Sequence, residues 1–226
     1  MRRSLICAIT TLAFSLVPGI VEAGIMCNWF GRCLYESPGF SFKVVDKETG
    51  QPLTDVHALA EWVQNGYYGV NGPLMVQDAV SGPEGVLAFP AWGPIRGSPS
   101  GLVLNHDPVI SLFKTGYRTM LVTNAIPIGL EENDRVRGLL QDGQTFALEL
   151  SRQDPEEMMK ELSNAAYPPR LGGTSEDQIT QFRIPYLNRK LRVWAEREKV
   201  PDKYRKPGQL FWHIERDIKL LREGSR

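Results

Sequence analysis

Apolar residues along this chain change their period once, near residue 150, and the change divides it. Before that point Phe40, Phe42 and Val44 alternate with Ser41 and Lys43, and Val56, Ala58, Ala60 and Trp62 alternate with His57, Leu59 and Glu61. A period of two marks a strand with one face turned to a core. The other face of the later run is less polar than usual, which predicts cover on both sides. Between the runs, Asp46-Lys47-Glu48-Thr49-Gly50 offers an acceptor side chain and then a glycine free to take positive φ. The two runs are therefore expected to pair as a hairpin, with Pro52 at the edge of the returning strand. Further strands are expected at 74–80, 86–89, 109–113, 117–123 and 145–150. Residues 90–101 hold too much proline for a ladder and read as a long surface crossing. Residues 124–143 read as a loop with a helical turn at 130–135. About seven short strands between turn signals predict an antiparallel β-sandwich.

After residue 150 the period becomes helical. Asp154-Pro155-Glu156-Glu157 supplies a capping acceptor, a proline for the first turn, and acids at the positive end of the helix dipole. Tyr167-Pro168-Pro169 ends that helix, Gly172-Gly173 marks a joint, and Thr174 to Gln178 reads as a second cap. Ile184, Leu187, Leu191 and Trp194 form one stripe at three- and four-residue steps, and Leu210, Ile214, Ile218 and Leu221 form another. The two amphipathic helices are expected to make a hairpin packed on a face of the sandwich. The resulting division is a leader at 1–23, an N-terminal segment at 24–39, the sandwich at 40–150 and a C-terminal α-helical extension at 151–226.

Three pieces of the strand region carry a resemblance. Asp46-x-x-Thr49-Gly50-x-Pro52-Leu53-x-Asp55-Val56 followed by a strand resembles the opening of the carboxypeptidase regulatory-like domain, a transthyretin-like (prealbumin-like) β-sandwich. Gly82-Pro83-Glu84-Gly85-Val86-Leu87-Ala88-Phe89-Pro90 is similar to that family's turn, glycine, apolar strand and Phe-Pro. Phe113-Lys114-Thr115-Gly116-Tyr117-Arg118 is similar to its Gly-Tyr hairpin. The match covers roughly 40–150 and mostly encodes turns, so it implies a fold rather than an activity. In that family the domain usually serves as an accessory beside an enzyme or within a surface protein. Some transthyretin-like proteins hydrolyse a purine breakdown product and end in Tyr-Arg-Gly-Ser. This chain ends Arg222-Glu223-Gly224-Ser225-Arg226 without the tyrosine, and that activity is not carried over.

The first residues set an address. Met1-Arg2-Arg3, an apolar run from Leu5 to Val21 and then Glu22-Ala23 have the basic start, apolar centre and small recognition residues of a cleaved secretory signal. An uncleaved anchor is the alternative, for which the run is short and broken by Pro18-Gly19. The expected location is extracytoplasmic, periplasmic or secreted, in a bacterial envelope. No later apolar stretch is long enough to span a bilayer. Cys27 and Cys33 bracket a five-residue loop, and in an oxidising compartment they are expected to form a disulfide. So small a loop would contribute about 2 kcal/mol. A lipid-modified Cys27 is the alternative, one that the preceding Gly24-Ile25-Met26 fits poorly. Charge is uneven: residues 24–150 carry 8 Lys/Arg and 13 Asp/Glu, and residues 151–226 carry 16 and 12. The signs are mixed within the basic part, which with the address argues against a nucleic-acid partner.

Reactive motifs are scarce. The three histidines stand apart in sequence. His106-Asp107-Pro108 is the most suggestive pair for acid–base or metal chemistry, His57 reads as a packed strand residue, and His213 as a surface one. Gly97-Ser98-Pro99-Ser100-Gly101 places proline where a nucleophile elbow needs serine. Glycine-rich phosphate loops are missing, and no cofactor or metal is expected. Surface aromatics remain: Tyr67, Tyr68 and Trp92 fall in expected loops, where their faces could stack on a sugar or on a partner's side chain. The sequence thus points to a non-catalytic accessory or binding protein whose partner is another envelope protein or a glycan. Two alternatives stand beside it: an assembly subunit docking through its C-terminal helices, and a small hydrolase around His106 and Asp107.

Overall fold

Strand β3 (Phe40–Asp46) buries Phe40, Phe42, Val44 and Asp46 on one face, following its alternation. The structure is a computed structural model that describes residues 25–27, 33–66, 69–97, 101–103, 108–123, 139–151, 154–168 and 181–223. Contrary to expectation, β3 does not form a hairpin with the run that follows. β4 (His57–Gly66) belongs to a different sheet, antiparallel to β5 (Gly69–Val80) on one side and to β9 (Val109–Phe113) on the other. The turn between them is nevertheless built as its sequence demands. Asp46 Oδ1 accepts from the Glu48 and Thr49 amides and from Thr49 Oγ1 at 2.8–3.0 Å, and Gly50 takes φ 69°. The returning chain makes only a bridge at Pro52 and two backbone bonds with β3, from Asp46 N to Gln51 O and from Leu53 N to Val44 O. Proline has no amide to extend the ladder, and the chain crosses to the second layer instead. Ser81 pins the crossing: its hydroxyl accepts from Val56 N at 2.9 Å and donates to Leu53 O at 2.6 Å.

Three sheets result. β3 is flanked by β6 (Val86–Phe89) and β11 (Thr145–Leu148), in the order β11-β3-β6. β11 runs parallel to β3, with Thr145 opposite Lys43 and Leu148 opposite Asp46; this departs from the all-antiparallel expectation. The larger sheet has the order β10-β9-β4-β5, where β10 is Met120–Thr123, and β8 (Gly101–Val103) pairs with the far end of β4. A small third sheet joins β1 (Ile25–Cys27), β2 (Cys33–Ser37) and β7 (Trp92–Arg96). β7 lies inside the stretch expected to be irregular. The described residues therefore form eleven strands rather than about seven.

The first two sheets share a core. Phe40, Phe42, Val44, Leu87, Phe89 and Leu148 from one meet Ala58, Ala60, Trp62, Ile110, Leu112 and Val122 from the other, a sandwich-like layering. Phe40 stacks on Phe89 at 4.9 Å between centroids, and Trp62 meets Trp92 edge-on at 5.3 Å.

Three C-terminal helices cover the outer face of the larger sheet. α1 (Pro155–Ala166) begins as its sequence predicts, with the Asp154 side chain accepting from the Glu156 and Glu157 amides. α2 (Arg183–Trp194) and α3 (Leu210–Glu223) follow. Phe113 of β9 packs with Leu162, Ala165, Val193, Phe211, Ile214 and Ile218, so the helices have a common core with the strands beneath. In α3 the expected stripe is buried at Ile214, Ile218 and Leu221. In α2 Leu187, Leu191 and Trp194 are half-buried against the same core, Ile184 is 54% exposed, and the fully buried positions are Arg189, Lys190 and Val193. No helix among the described residues is long and apolar enough to cross a membrane.

Candidate functional site

The outer face of the larger sheet follows from its registers. His57, Leu59 and Glu61 of β4 stand opposite Phe113, Ser111 and Val109 of β9, and opposite Val80, Asp78 and Val76 of β5. Alternation sends all nine toward the helices. Polar residues on this face are covered by α2, and each needs a partner there.

Arg189 supplies most of them. Its Nε donates to His57 Nδ1 at 2.8 Å, its Nη1 to Ser111 Oγ at 3.0 Å and Ala165 O at 3.3 Å, and its Nη2 to His57 O at 3.0 Å and Ser111 O at 2.6 Å. One side chain of α2 thereby ties β4, β9 and the end of α1 together. Burial pushes the guanidinium down to about 9, still protonated at neutral pH. Because Nδ1 of His57 accepts, its proton sits on Nε2, which donates to Asp78 Oδ2 at 3.2 Å. Asn188 Nδ2 donates to the same oxygen at 2.9 Å. Burial drives the imidazole down to about 4, so it stays neutral at pH 7. Although burial alone would raise Asp78, the bonds from His57 and Asn188 bring its carboxyl below the usual range.

Four residues along β4 from His57 lies a different arrangement. Glu61 is 1% exposed and Oε1 makes no hydrogen bond; the Tyr186 hydroxyl of α2 is likewise unbonded. The two groups interact electrostatically, with Arg189 acting on Glu61 as well, but desolvation dominates and raises the Glu61 carboxyl to about 8. Leu59, Val76 and Phe182 make the surroundings apolar.

A third group closes the helices over one another. Lys190 Nζ lies 2.9 Å from Asp217 Oδ2 and 3.3 Å from the centroid of the Tyr167 ring, while the Tyr167 hydroxyl donates to Asp217 Oδ2 at 2.6 Å. Between this group and Leu59 is a cavity of about 190 Å³, walled also by Ala166, Pro168, Leu220 and Leu221.

Compared with known protein families and with characterised proteins, the chain matches none. Chemistry must therefore be read from the residues themselves. The His57 system has the partners of an acid–base relay but not its access: His57 is fully buried and both ring nitrogens are occupied by Arg189 and Asp78. A general base must reach a substrate proton. The group acts as a strut.

The sequence-level candidates are scattered. Trp92 sits in the core, 8% exposed and edge-on to Trp62, with its Nε1 unbonded; its ring is packed rather than offered to a ligand. Tyr67, Tyr68, His106 and Asp107 lie outside the described residues. Cys27 and Cys33 stand opposite each other in the β1–β2 register, and their side chains lie outside the described residues. His213 is half-buried, edge-on to Trp212. Among the described residues no group of three or more His, Cys, Asp and Glu side chains is placed to hold a metal ion. The residues missed were Arg189, Asp78, Glu61, Tyr186 and Lys190. Their signal was available: Tyr186, Arg189, Lys190 and Val193 share a helix face at three- and four-residue steps, but the neighbouring apolar stripe concealed it.

Proposed function

We propose that the chain is a non-catalytic, extracytoplasmic accessory or binding protein of the bacterial cell envelope, built on a transthyretin-like sandwich. The observation that carries the reading is the Arg189–His57–Asp78 strut. Arg189, His57 and Asp78, between sheet and helices, are spent on one another and on the sheet backbone, so they hold a scaffold together rather than present reactive atoms. The family resemblance gains support from where its motif pieces meet. The Tyr117 hydroxyl donates to Asp46 Oδ2 at 2.8 Å, joining the Gly-Tyr hairpin to the Asp-Thr-Gly turn. A Cβ on Gly85 would stand 2.4 Å from Val44 O and 3.2 Å from Leu53 N, so the second glycine element abuts the same turn. Three segments distant in sequence thus rely on one another, as parts of a single motif would.

An assembly role through the helices has its own support. Ile184, Trp212 and Leu220 are 54%, 44% and 49% exposed on α2 and α3, which leaves apolar side chains free for a partner. The test of both readings is site-specific photocrosslinking in the native host, with the reactive residue at Trp212 or Leu220 on the helices and at Lys43 or Val86 on the sandwich. Adducts to an envelope component are expected. Adducts from the helical positions alone would single out the assembly role. Their absence at all four positions, or turnover of ester, amide or glycoside substrates by the purified chain, would overturn the proposal.

A further inference from the structure

The cavity among α1, α2, α3 and Leu59 is a place where the fold stops short of filling itself. Its volume is about 190 Å³, and an apolar cavity of roughly 150 Å³ is enough to hold a benzene ring. Room therefore exists for one ring with a substituent, or a short alkyl chain. Leu59, Ala166, Leu220 and Leu221 give it an apolar interior. Its polar atoms come from the Tyr167–Asp217–Lys190 group, from Arg189 and from Tyr186, whose hydroxyl is unbonded. The first group is mostly committed, since Asp217 Oδ2 takes both the Tyr167 hydroxyl and the Lys190 ammonium. Among the described residues Asp217 Oδ1 has one loose contact, 3.7 Å from an Arg216 nitrogen, and can accept a further hydrogen bond.

The charges decide what class of molecule fits. Arg189, in the wall, has its donors on His57, Ser111 and Ala165, and Lys190 is paired with Asp217 through one contact and lies over the Tyr167 ring. Arg189 is not free to pair with an incoming anion, an anion at Lys190 would compete with Asp217, and an incoming cation would compete with Lys190 for one carboxylate. A charge brought into such a site goes uncompensated, at a cost far above the gain from burying a ring. We propose that this cavity binds a small uncharged amphiphile, a single ring or short alkyl chain, with one hydroxyl directed to Asp217. The site lies under the helices, away from the motif turn at Asp46, and does not depend on an envelope partner.

Benzyl alcohol is the probe, with benzoate and benzylammonium as charged counterparts, titrated into the full chain while methyl NMR shifts are followed. Saturable shifts are expected at Leu59, Leu220 and Leu221 with benzyl alcohol, and weaker binding of both charged probes. Leu220 is half-exposed at the rim, so Leu220→Trp should fold normally and plug the mouth, lowering benzyl alcohol affinity about tenfold or more. The proposal is overturned if no saturable shift is seen at these methyls, if benzoate or benzylammonium binds as tightly as the alcohol, or if a folded Leu220→Trp protein keeps full affinity. Crosslinking to an envelope component reads a different property, so the two proposals can fail separately.

Discussion

Arg189 Nε donates to His57 Nδ1 at 2.8 Å, which makes a histidine in the middle of a strand the acceptor for an arginine from a helix 132 residues later. The bond fixes the imidazole tautomer, and the proton on Nε2 passes the connection on to Asp78. Nitrogen-15 NMR of His57 should therefore show the Nε2-protonated neutral ring from pH 5 to pH 8, with protonation only near pH 4. A ring titrating near its ordinary value of 6.5 would mean that the bond does not form.

Two buried groups give stability a pH dependence of opposite sign. His57 falls from 6.5 to about 4 on folding, so its contribution is intact above 6.5 and is lost as pH drops through that interval. Glu61 rises from 4.5 to about 8, so its contribution is intact below 4.5 and is lost as pH climbs toward 8. Each slope reaches at most about 1.4 kcal/mol per pH unit. The slopes oppose each other between 4.5 and 6.5, where urea midpoints should be highest, and stability should decline from pH 6.5 to 8. Tyr186 and Arg189 are the groups acting on Glu61; Asp78, Arg189 and Arg192 act on His57. Glu61→Gln should abolish the alkaline decline, and an unchanged decline in that variant would refute the assignment.

Gly50 and Gly85 both adopt φ 69°, yet they should respond differently to alanine. A Cβ on Gly50 would meet nothing within 4 Å, whereas one on Gly85 would stand 2.4 Å from Val44 O. Gly50→Ala should cost the left-handed penalty alone, about 1–2 kcal/mol. Gly85→Ala should cost clearly more, because backbone must move. Equal losses in denaturant melts would show that the turn at Gly85 is not packed against β3 as described.

Tyr117 and Asp46 share a hydrogen bond of 2.8 Å, and the backbone amide of Thr49 followed by this hydroxyl lowers the Asp46 carboxyl. Tyr117→Phe should cost about 1–2 kcal/mol, and Asp46→Ala more, since three turn donors also lose their acceptor. In the double variant the losses should fall short of additive by about the value of the shared bond. Strict additivity would contradict the pairing.

The strands of this fold were legible because alternation reports burial directly: β3, β4, β6 and β9 lie where the apolar pattern puts them. Partnership was not legible. The Asp46–Gly50 turn carries hairpin chemistry, but whether the chain continues its ladder depends on the short stretch after Pro52, where Ser81 captures the crossing. The β7 strand was hidden by its prolines. Cover on both faces of β4 could be read from the weak polarity of His57, Leu59 and Glu61, but the covering residues could not. A long cationic side chain such as Arg189 reads as solvent-facing in isolation, and its burial is made tolerable by the His57 ring, the Ser111 hydroxyl and the carbonyls of His57, Ser111 and Ala165.

The fastening of α2 to the larger sheet by Arg189 is most directly tested by Arg189→Leu, followed by hydrogen exchange and urea unfolding. The substitution keeps an apolar side chain in place but strands the His57 ring and four backbone or hydroxyl acceptors on the sheet and α1. A loss of several kcal/mol is therefore expected, at about 1–3 kcal/mol for each acceptor that stays buried and unbonded. Exchange should quicken first in α2, α3 and the β4–β9 pairing, while β3, β6 and β11 keep their protection. Unchanged protection in the helices with undiminished stability would contradict the account.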